Sequence, residues 1–379
     1  MTDRVSRMTL TQFRSYASLT WAPSPGVSVL TGPNGSGKTN VLEAASLLVP
    51  GRGLRQARLA DLARTGSTTG WGVAARLGPV TLATGTVPGA LPGAMADRRV
   101  FRLNGVAPRT QAEVVAALSA VWLVPQMDRL FQDGASARRR FLDRLVWALE
   151  PGHAREVSAY ETALASRNRL LAQNAEPAWL TATEDSMARH AVAATAARAA
   201  LVARLNAAGP APPFPAAHLR LLDPLADRLR GSPALAVEDW LRAEWAGSRV
   251  RDAGAGVTLL GSHRADLALS DATTSLPAAQ ASTGQQKALL IGVILAHAGL
   301  IAGARGSPPL LLLDEPAVHL DAERRGALWS ALLASGAQVI LTGTDRDAFG
   351  PLRDAAQGWE TGGGALRPDP WFSPGLPMG

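Results

Sequence analysis

Apolar and polar residues alternate in two stretches near the start of the chain, RMTLTQFRSY at 7–16 and GVSVLTG at 26–32. Alternation with a period of two predicts strands with one buried face. Directly afterwards, GKTNVLEAASLLV at 37–49 carries apolar residues at helical spacing. The glycine-rich segment 31–37 is therefore predicted to be a loop between a strand and a helix.

The pattern changes along the rest of the chain. Short strands broken by Gly and Pro are predicted over about 70–107, in segments such as WGVAARLG and VFRLNG. Residues 111–206 are dominated by Ala, Leu and Arg at helical spacing, and GPAPPFPAA at 209–217 is the best candidate for a long connection. After about residue 255 strands and helices alternate again, and PPLLLLDEP contains a fully buried strand.

This order predicts an α/β fold at both ends of the chain with a helical section inserted between them. One split α/β domain is simpler than three independent domains. The predicted head comprises residues 1–120 and 251–361, and the predicted helical lobe comprises residues 121–250. Residues 362–379 are rich in Gly and Pro and are predicted to be a poorly ordered tail.

Composition agrees with a folded protein of 379 residues, 47% hydrophobic and 18% charged, and the absence of cysteine excludes disulfides and thiolate chemistry. The start of the chain lacks the apolar core of a signal peptide. The most apolar run, 288–304, is short for a membrane span and contains His297, so it predicts a buried helix. We therefore expect a cytoplasmic protein with no membrane partner.

The net charge of +7 favours anionic partners such as nucleic acid. Of the 38 basic residues only Lys38 and Lys287 are lysines, which leaves 36 arginines. Many of these arginines need be no more than solvated surface groups. Because lysine is so rare in this chain, the two lysines indicate positions whose role an arginine side chain could not fulfil.

The glycine-rich loop matches the phosphate-binding pattern G-x-x-x-x-G-K-[ST]. The matching residues are Gly32, Pro33, Asn34, Gly35, Ser36, Gly37, Lys38 and Thr39. Glycines let backbone N–H groups turn toward phosphate oxygens, and the helix N-terminus adds its dipole. We expect Lys38 to reach the β- and γ-phosphates and the Thr39 hydroxyl to bind Mg²⁺. The alternative is a chance glycine-rich turn.

A second motif, LLLLDEP at 310–316, completes this chemistry. A buried strand ending in Asp314 places a carboxylate near the metal, and Glu315 then faces the γ-phosphate, where it would orient and deprotonate water. Alone, the motif is equally consistent with a strand that ends in an acidic turn. Together with the loop it predicts nucleotide hydrolysis, with Lys38 and Glu315 as catalytic residues.

The segment ASTGQQKALLIG at 281–292 contains the second lysine. Its residues Ser282, Gly284 and Gln285 resemble the signature motif of ABC-type ATPases, and Leu320-Asp321 matches the D-loop of that family. The resemblance implies that the signature of one head binds the ATP of a second head across a dimer interface. Lys287 belongs either to this machinery or to the exposed face of a helix.

Further segments resemble the RecF family of bacterial recombination mediators. In chain order they are LTQFRSY, GRGLRQARLADL, VPQMDRLFQDGASARRRFLD, YETALASRNRLL, GSHRADL, STGQQKALL, LLLLDEPAVHLDAERR and LTGTD. They extend from about residue 8 to 350. There are four departures from the family's pattern. Ala281 stands in place of the first Leu of the signature, Gln126-Met127 replaces an acidic residue expected after Pro125, and Ala265 interrupts the usual acidic pair. The segment LTGTD offers no switch His, so that Thr344 or Asp345 would sense the γ-phosphate.

The resemblance implies an ABC-type P-loop ATPase head, split by an inserted helical lobe, that dimerises on ATP and binds DNA at single-strand/double-strand junctions. With RecO and RecR it would assist RecA loading at gaps and support replication and SOS induction, and slow hydrolysis would release it. Basic residues that could contact DNA phosphates are Arg52, Arg55, Arg58, Arg138, Arg139 and Arg140. A solvated basic face explains the same residues.

Two other functions fit parts of the sequence. A transporter-type motor subunit would have a membrane partner and a shorter head, and the inserted lobe argues against it. A non-catalytic scaffold would retain only the fold, whereas Lys38, Thr39, Asp314 and Glu315 are all present.

Overall fold

The computed structural model describes residues 4–86, 98–209 and 214–373. The chain divides into two compact units. The first unit comprises Met1–Asp128, Pro210–Pro215 and Ser282–Gly379, and the second comprises Arg129–Gly209 and Ala216–Ala281. The second unit is thus an insertion in the first. We call the first unit the head and the second unit the lobe.

The N-terminal part of the first unit is rich in strands. Its elements are β1 (Val5–Phe13), β2 (Tyr16–Trp21), β3 (Val27–Thr31), α1 (Lys38–Ser46), β4 (Gly72–Leu77), β5 (Val80–Thr86), β6 (Arg99–Leu103), α2 (Gln111–Ala117) and β7 (Ala120–Leu123). A short 3₁₀ helix follows at Pro125–Arg129.

The second unit is mainly helical. Its elements are α3 (Ala135–Leu149), α4 (His153–Ala172), α5 (Pro177–Ala208), β8 (Ala217–Leu222), α6 (Pro224–Leu229), α7 (Ala234–Ala255) and β9 (Asp266–Asp271). Buried residues of α4 to α7 form one apolar cluster that includes Tyr160, Met187, Leu225, Leu241 and Trp245. Strands β8 and β9 pair in antiparallel register, with Leu219 opposite Leu269.

The chain then returns to the first unit. The remaining elements are α8 (Thr283–Arg305), β10 (Leu310–Leu313), α9 (Ala322–Ala334), β11 (Val339–Gly343), β12 (Ala356–Gly362) and β13 (Ala365–Asp369). In the described part of the chain, α8 alone is long and apolar enough to cross a membrane, and 61% of its most apolar window is buried inside the protein. The prediction of a buried helix at 288–304 is confirmed.

Two sheets build the first unit. The antiparallel sheet has the order β2-β1-β4-β5-β6. The second sheet has the order β13-β12-β3-β11-β10-β7, and all of its strands are parallel except β13. Every residue of β3, β7, β10 and β11 is buried, as expected for parallel strands that are covered on both faces. The carboxyl ends of β3, β10 and β11 consequently meet at one edge.

The predicted limits of the head and lobe differ from those of the two units. A limit at 120 divides β7, which belongs to the parallel sheet of the first unit, and a limit at 250 divides α7. Strand β7 was predicted as helix, because a four-residue apolar run has no periodicity that separates the two. The predicted connection at 209–217 lies between α5 and β8, and its residues 210–213 fall outside the described ones.

The prediction of a poorly ordered tail from residue 362 is wrong for its first part. Strand β13 pairs with β12, with Trp359 opposite Pro368 and Thr361 opposite Leu366. The aromatic ring of Phe372 is buried and covers Gly358, where an added Cβ would lie 1.8 Å from the ring. The Gly and Pro residues of this segment therefore belong to a β-hairpin and to the turn that follows β13. Residues 374–379 fall outside the described ones.

Candidate nucleotide site

The loop between β3 and α1 has the conformation that its glycines permit. Gly32, Gly35 and Gly37 have φ angles of 142°, 79° and 108°, a region that side chains disfavour. A Cβ at Gly32 would lie 2.6 Å from Oγ1 of Thr361, and one at Gly37 would lie 2.7 Å from the hydroxyl of Tyr16. Neighbouring strands therefore leave no room for a side chain at Gly32 or Gly37, whereas Gly35 is required by its φ angle alone.

Lys38 is buried at the first position of α1, with 5% of its surface exposed. Its Nζ donates to the carbonyl oxygens of Gly32 (2.6 Å) and Pro33 (3.0 Å). Burial lowers the pKa of Lys38, and the nearby carboxylates of Glu315 and Asp314 oppose that shift. An ammonium has three donors, so one remains for a ligand after the two loop carbonyls.

Asp314 follows β10 at the edge where β3 and β11 also end. Its Oδ1 accepts from the hydroxyls of Thr39 (2.9 Å) and Thr342 (2.7 Å). Two ligand oxygens at right angles around Mg²⁺, each about 2.05 Å from the ion, lie about 2.9 Å apart. The oxygens of Thr39 and Asp314 therefore have a spacing that suits neighbouring Mg²⁺ ligands.

The protein supplies few oxygen ligands here. Among residues 4–86, 98–209 and 214–373, no group of three or more His, Asp or Glu side chains could enclose a metal ion. Magnesium commonly takes one or two ligands from protein and the rest from water and substrate phosphates. The site fits a metal that arrives with a nucleotide.

Glu315 lies one residue beyond Asp314, with its backbone in the left-handed region at φ 49°. Its N–H donates to Oγ1 of Thr342 at 2.9 Å, and its carbonyl oxygen accepts from Nζ of Lys287 at 3.2 Å. The residue is only partly buried. The peptide of Glu315 is thus fixed by β11 and α8.

The predicted signature residues form a second cluster, at the start of α8. Ser282 caps this helix: its hydroxyl accepts from the N–H of Gln285 (3.3 Å), and the Gln285 side chain accepts from the N–H of Ser282 (2.9 Å). A Cβ at Gly284 would lie 2.9 Å from the carbonyl oxygen of His319, so the D-loop packs against the helix. Asp321 caps α9 through the N–H of Arg324 (2.8 Å).

The structure therefore brings together Lys38, Thr39, Asp314 and Glu315, whereas Ser282, Gln285 and Asp321 lie at two neighbouring helix starts, at least partly accessible to solvent. Caps of this kind are ordinary helix chemistry. They also leave the polar N-termini of α8 and α9 facing solvent. Gln126 and Met127 lie in the 3₁₀ helix after β7, and Thr344 and Asp345 are exposed after β11.

Three supporting residues were not predicted from the sequence. Thr342 holds Asp314 and Glu315. Thr361 donates to the carbonyl of Thr31 at 2.9 Å and also contacts the hydroxyl of Ser36. Tyr16 donates to the carbonyl of Gly37 at 3.2 Å, and burial raises its pKa to about 12. Tyr16 and Thr342 carried a signal, since each lies in a segment that resembles the RecF family, whereas Thr361 carried none.

The candidate DNA-contacting arginines fall into two groups. Arg138 makes two hydrogen bonds to Asp266 (2.7 and 2.8 Å), Arg139 donates to the carbonyl of Ala265 (2.9 Å), and Arg55 pairs with the buried Glu43 (3.3 Å). These three have structural partners. The other three candidates, Arg52, Arg58 and Arg140, are exposed.

Comparison with known proteins supports the predicted fold class. The family described as "AAA domain, putative AbiEii toxin, Type IV TA system" matches residues 27–342. Solved structures similar to this chain are the recombination mediator protein RecF-ATPrS in the RecFOR pathway (TM-score 0.82, 19% identity, 96% of this chain and 98% of that chain) and the Smc head domain of Pyrococcus furiosus bound to the C-terminal domain of ScpA (TM-score 0.52, 15% identity, 96% and 95%). Fold and site together define a P-loop ATPase head of the ABC type.

Proteins of similar sequence show to which family within this class the chain belongs. The "DNA replication and repair protein RecF" of Mesorhizobium japonicum is 46% identical over 93% of this chain and 94% of its own length, and that of Brucella suis is 45% identical over 96% of each. The chain belongs to the RecF family. The predicted fold class is confirmed.

Proposed function

We propose that this protein is an ATP-dependent DNA clamp of recombinational repair, which dimerises on ATP and is released by slow hydrolysis. The observation that carries the proposal is the meeting of Lys38, Thr39, Asp314 and Glu315 at one sheet edge. The similar RecF structures are described with ATP and ATPrS. These four residues are the ones that such a ligand requires.

Nucleotide binding follows from the loop. Its backbone N–H groups and the N-terminus of α1 would receive the phosphates. Lys38 would donate the N–H that its hydrogen bonds to Gly32 and Pro33 leave free to a phosphate oxygen, in a charge-assisted bond. Thr39 and Asp314 would hold Mg²⁺, which when bound neutralises charge on the phosphates.

Hydrolysis would depend on Glu315. Its carboxylate follows Asp314 directly and is only partly buried, so it can accept a proton from a water molecule beside the terminal phosphate. Thr342 fixes its peptide and spares it rearrangement during the reaction. We propose a weak, DNA-stimulated ATPase in which hydrolysis ends the bound state.

Dimerisation would complete the site. Ser282, Gly284 and Gln285 present a helix N-terminus to solvent, and Asp321 presents a second one beside it. A helix N-terminus receives a phosphate favourably. We propose that these residues bind the ATP held by a second copy of the chain, so that two nucleotides close the homodimer.

DNA binding and the protein partners rest on charge and family. The net charge of +7 and the accessible Arg52, Arg58 and Arg140 provide phosphate contacts. The curated relatives are named DNA replication and repair proteins, and the similar structures are described in the RecFOR pathway. We propose binding at single-strand/double-strand junctions, action with RecO and RecR in RecA loading and SOS induction, and a cytoplasmic location.

Sedimentation of Glu315→Gln tests the proposal. Because the amide binds nucleotide but cannot accept a proton, this variant should form a lasting dimer with ATP, whereas the wild type should return to monomer as ATP is consumed. Gapped, duplex and single-stranded DNA are compared in the same runs, and the gapped DNA should co-sediment best. Glu161→Gln, at an exposed position of α4, is the matched control. A purely monomeric Glu315→Gln protein at saturating ATP would contradict the clamp.

A further inference from the structure

The second lysine of the chain is a buried residue. Lys287 on α8 has 1% of its surface exposed. Its Nζ lies 3.3 Å from Oδ2 of Asp128 and 3.2 Å from the carbonyl oxygen of Glu315. The alternative that it occupies an exposed helix face is thereby excluded. A buried ammonium has a large desolvation cost, so the burial of this charge between two oxygen partners needs an explanation.

The pairing with Asp128 is not arranged for stability. The other carboxylate oxygen of Asp128, Oδ1, is buried without a hydrogen-bond partner. Buried ion pairs with unsatisfied atoms are often less stable than apolar side chains of similar volume. An apolar residue at position 287 would therefore serve the core of α8 at least as well. The contact that an apolar residue could not make is the one to the carbonyl of Glu315.

That carbonyl belongs to a residue with a strained backbone. Glu315 has a left-handed φ of 49°, a conformation that is unfavourable for a residue with a side chain and persists only where its surroundings enforce it. Thr342 holds the N–H and Lys287 holds the C=O. The two contacts together determine the direction in which the Glu315 side chain leaves the backbone.

Arginine is unsuited to this position. Its guanidinium carries five N–H donors in a rigid plane, whereas the contacts of Lys287 are one carboxylate oxygen and one carbonyl oxygen. Several donors would remain buried without partners. This explains a lysine in a chain where 36 of 38 basic residues are arginine.

We propose that Lys287 is a positioning residue that sets the peptide of Glu315 and couples it to the start of α8. The inference rests on the proposed function and deepens it. Lys287 lies five residues beyond Ser282, about 7.5 Å along the helix axis. Because a helix moves as a rigid element, engagement of Ser282 with a partner's nucleotide shifts Nζ of Lys287 and, through it, the Glu315 carbonyl. Each subunit thus adjusts its own hydrolytic carboxylate to the presence of its partner.

The test separates positioning from stability. Lys287→Met leaves Asp128 buried without a partner and should lower Tm. The double variant Asp128→Asn/Lys287→Met removes both charges and should recover most of the Tm. In both proteins kcat for ATP should stay at least about tenfold below wild type, while the Kd for ATP stays within about threefold. Ile291→Ala, on the same helix and also buried, is the control that lowers Tm without changing kcat.

A second comparison asks whether Lys287 acts through Glu315. The residual turnover of Glu315→Gln should be unchanged when Lys287→Met is added, because the carboxylate being positioned is already gone. A further loss of about tenfold would overturn the proposal, as would full recovery of kcat together with Tm in the double variant. A wild-type protein that neither binds nor hydrolyses ATP would instead overturn the proposed function, and this inference with it.

Discussion

Both units of the molecule bury charged side chains, but they use them differently. In the second unit, Arg167 is fully buried and donates to Glu184 (2.9 Å), Asp252 (2.8 Å), Thr258 (2.8 Å) and the carbonyl of Trp245 (3.0 Å). In the first unit, the buried Lys38 bonds only to two carbonyls of its own loop. The buried charges of the lobe pair with one another, whereas Lys38 in the head keeps one donor for a ligand.

A second polar cluster of the lobe repeats this behaviour. Arg198 forms two hydrogen bonds to Asp143 (2.7 and 2.9 Å), and His153 contacts the same carboxylate at 2.7 Å. The hydroxyl of Tyr160 lies so close to Gly261 that a Cβ there would approach it to 2.2 Å. Segments of the lobe that resemble the RecF family therefore meet as internal supports. A buried charge alone therefore does not mark a functional site.

The largest effect is expected from Arg167→Met. Loss of the guanidinium leaves Asp252 buried without a cationic partner and Glu184 with Arg249 alone, which costs about 3–5 kcal/mol of unfolding free energy. Urea unfolding measures the loss. ATP affinity of the folded protein should be unchanged, so a weakened affinity at a temperature where the variant is folded would break the distinction between the two units.

Lys38→Arg should weaken ATP binding and leave stability almost unchanged, the opposite of Arg167→Met. The planar guanidinium cannot reach between the phosphates, so we expect ATP to bind about 100-fold more weakly, as for the loss of one or two charge-assisted bonds. ATP-dependent dimerisation should be lost. The free energy of unfolding should change by no more than about 1 kcal/mol. Titration with labelled ATP and urea unfolding give the two values, and wild-type dimerisation would contradict the assignment of the loop.

The smallest effect concerns His263 in the lobe. Its Nε2 lies 3.0 Å from the carbonyl of Thr258, so Nε2 donates, and Nδ1 accepts from the hydroxyl of Tyr160 at 2.7 Å. Burial lowers the pKa of His263, and the charges of Arg139 and Arg264 lower it further. Below about pH 6.5 the unfolded chain therefore takes up a proton that the folded chain refuses, and stability falls as pH decreases.

The loss should be no more than about 1.4 kcal/mol per pH unit. Urea unfolding of wild type and His263→Gln between about pH 7.5 and 5.5 measures it, and the variant should lose less stability over that range. If the unfolding free energy of the two proteins changed equally with pH, protonation of His263 would have no effect on stability, and the prediction would be wrong.

The sequence predicted the parts of the site that are contiguous in the chain. The glycine loop and Asp314-Glu315 each follow a buried strand, and the parallel sheet brings the strand ends together. Thr342 and Thr361 were missed because their roles depend on partners 27 or more residues away. Lys287 was noticed as a rare residue type, yet its burial against Asp128 follows from tertiary packing and not from helical periodicity.

Strand β3 has a consequence for how the protein is made. Its two neighbours in the sheet are β11 and β12, at Val339–Gly343 and Ala356–Gly362. During synthesis, roughly 300 more residues are therefore added after β3 before either of its neighbouring strands leaves the ribosome. The inserted unit finishes its own internal pairing earlier, between β8 and β9. Competence to hold a nucleotide is in this way acquired only after the strands on both sides of β3 have been synthesised.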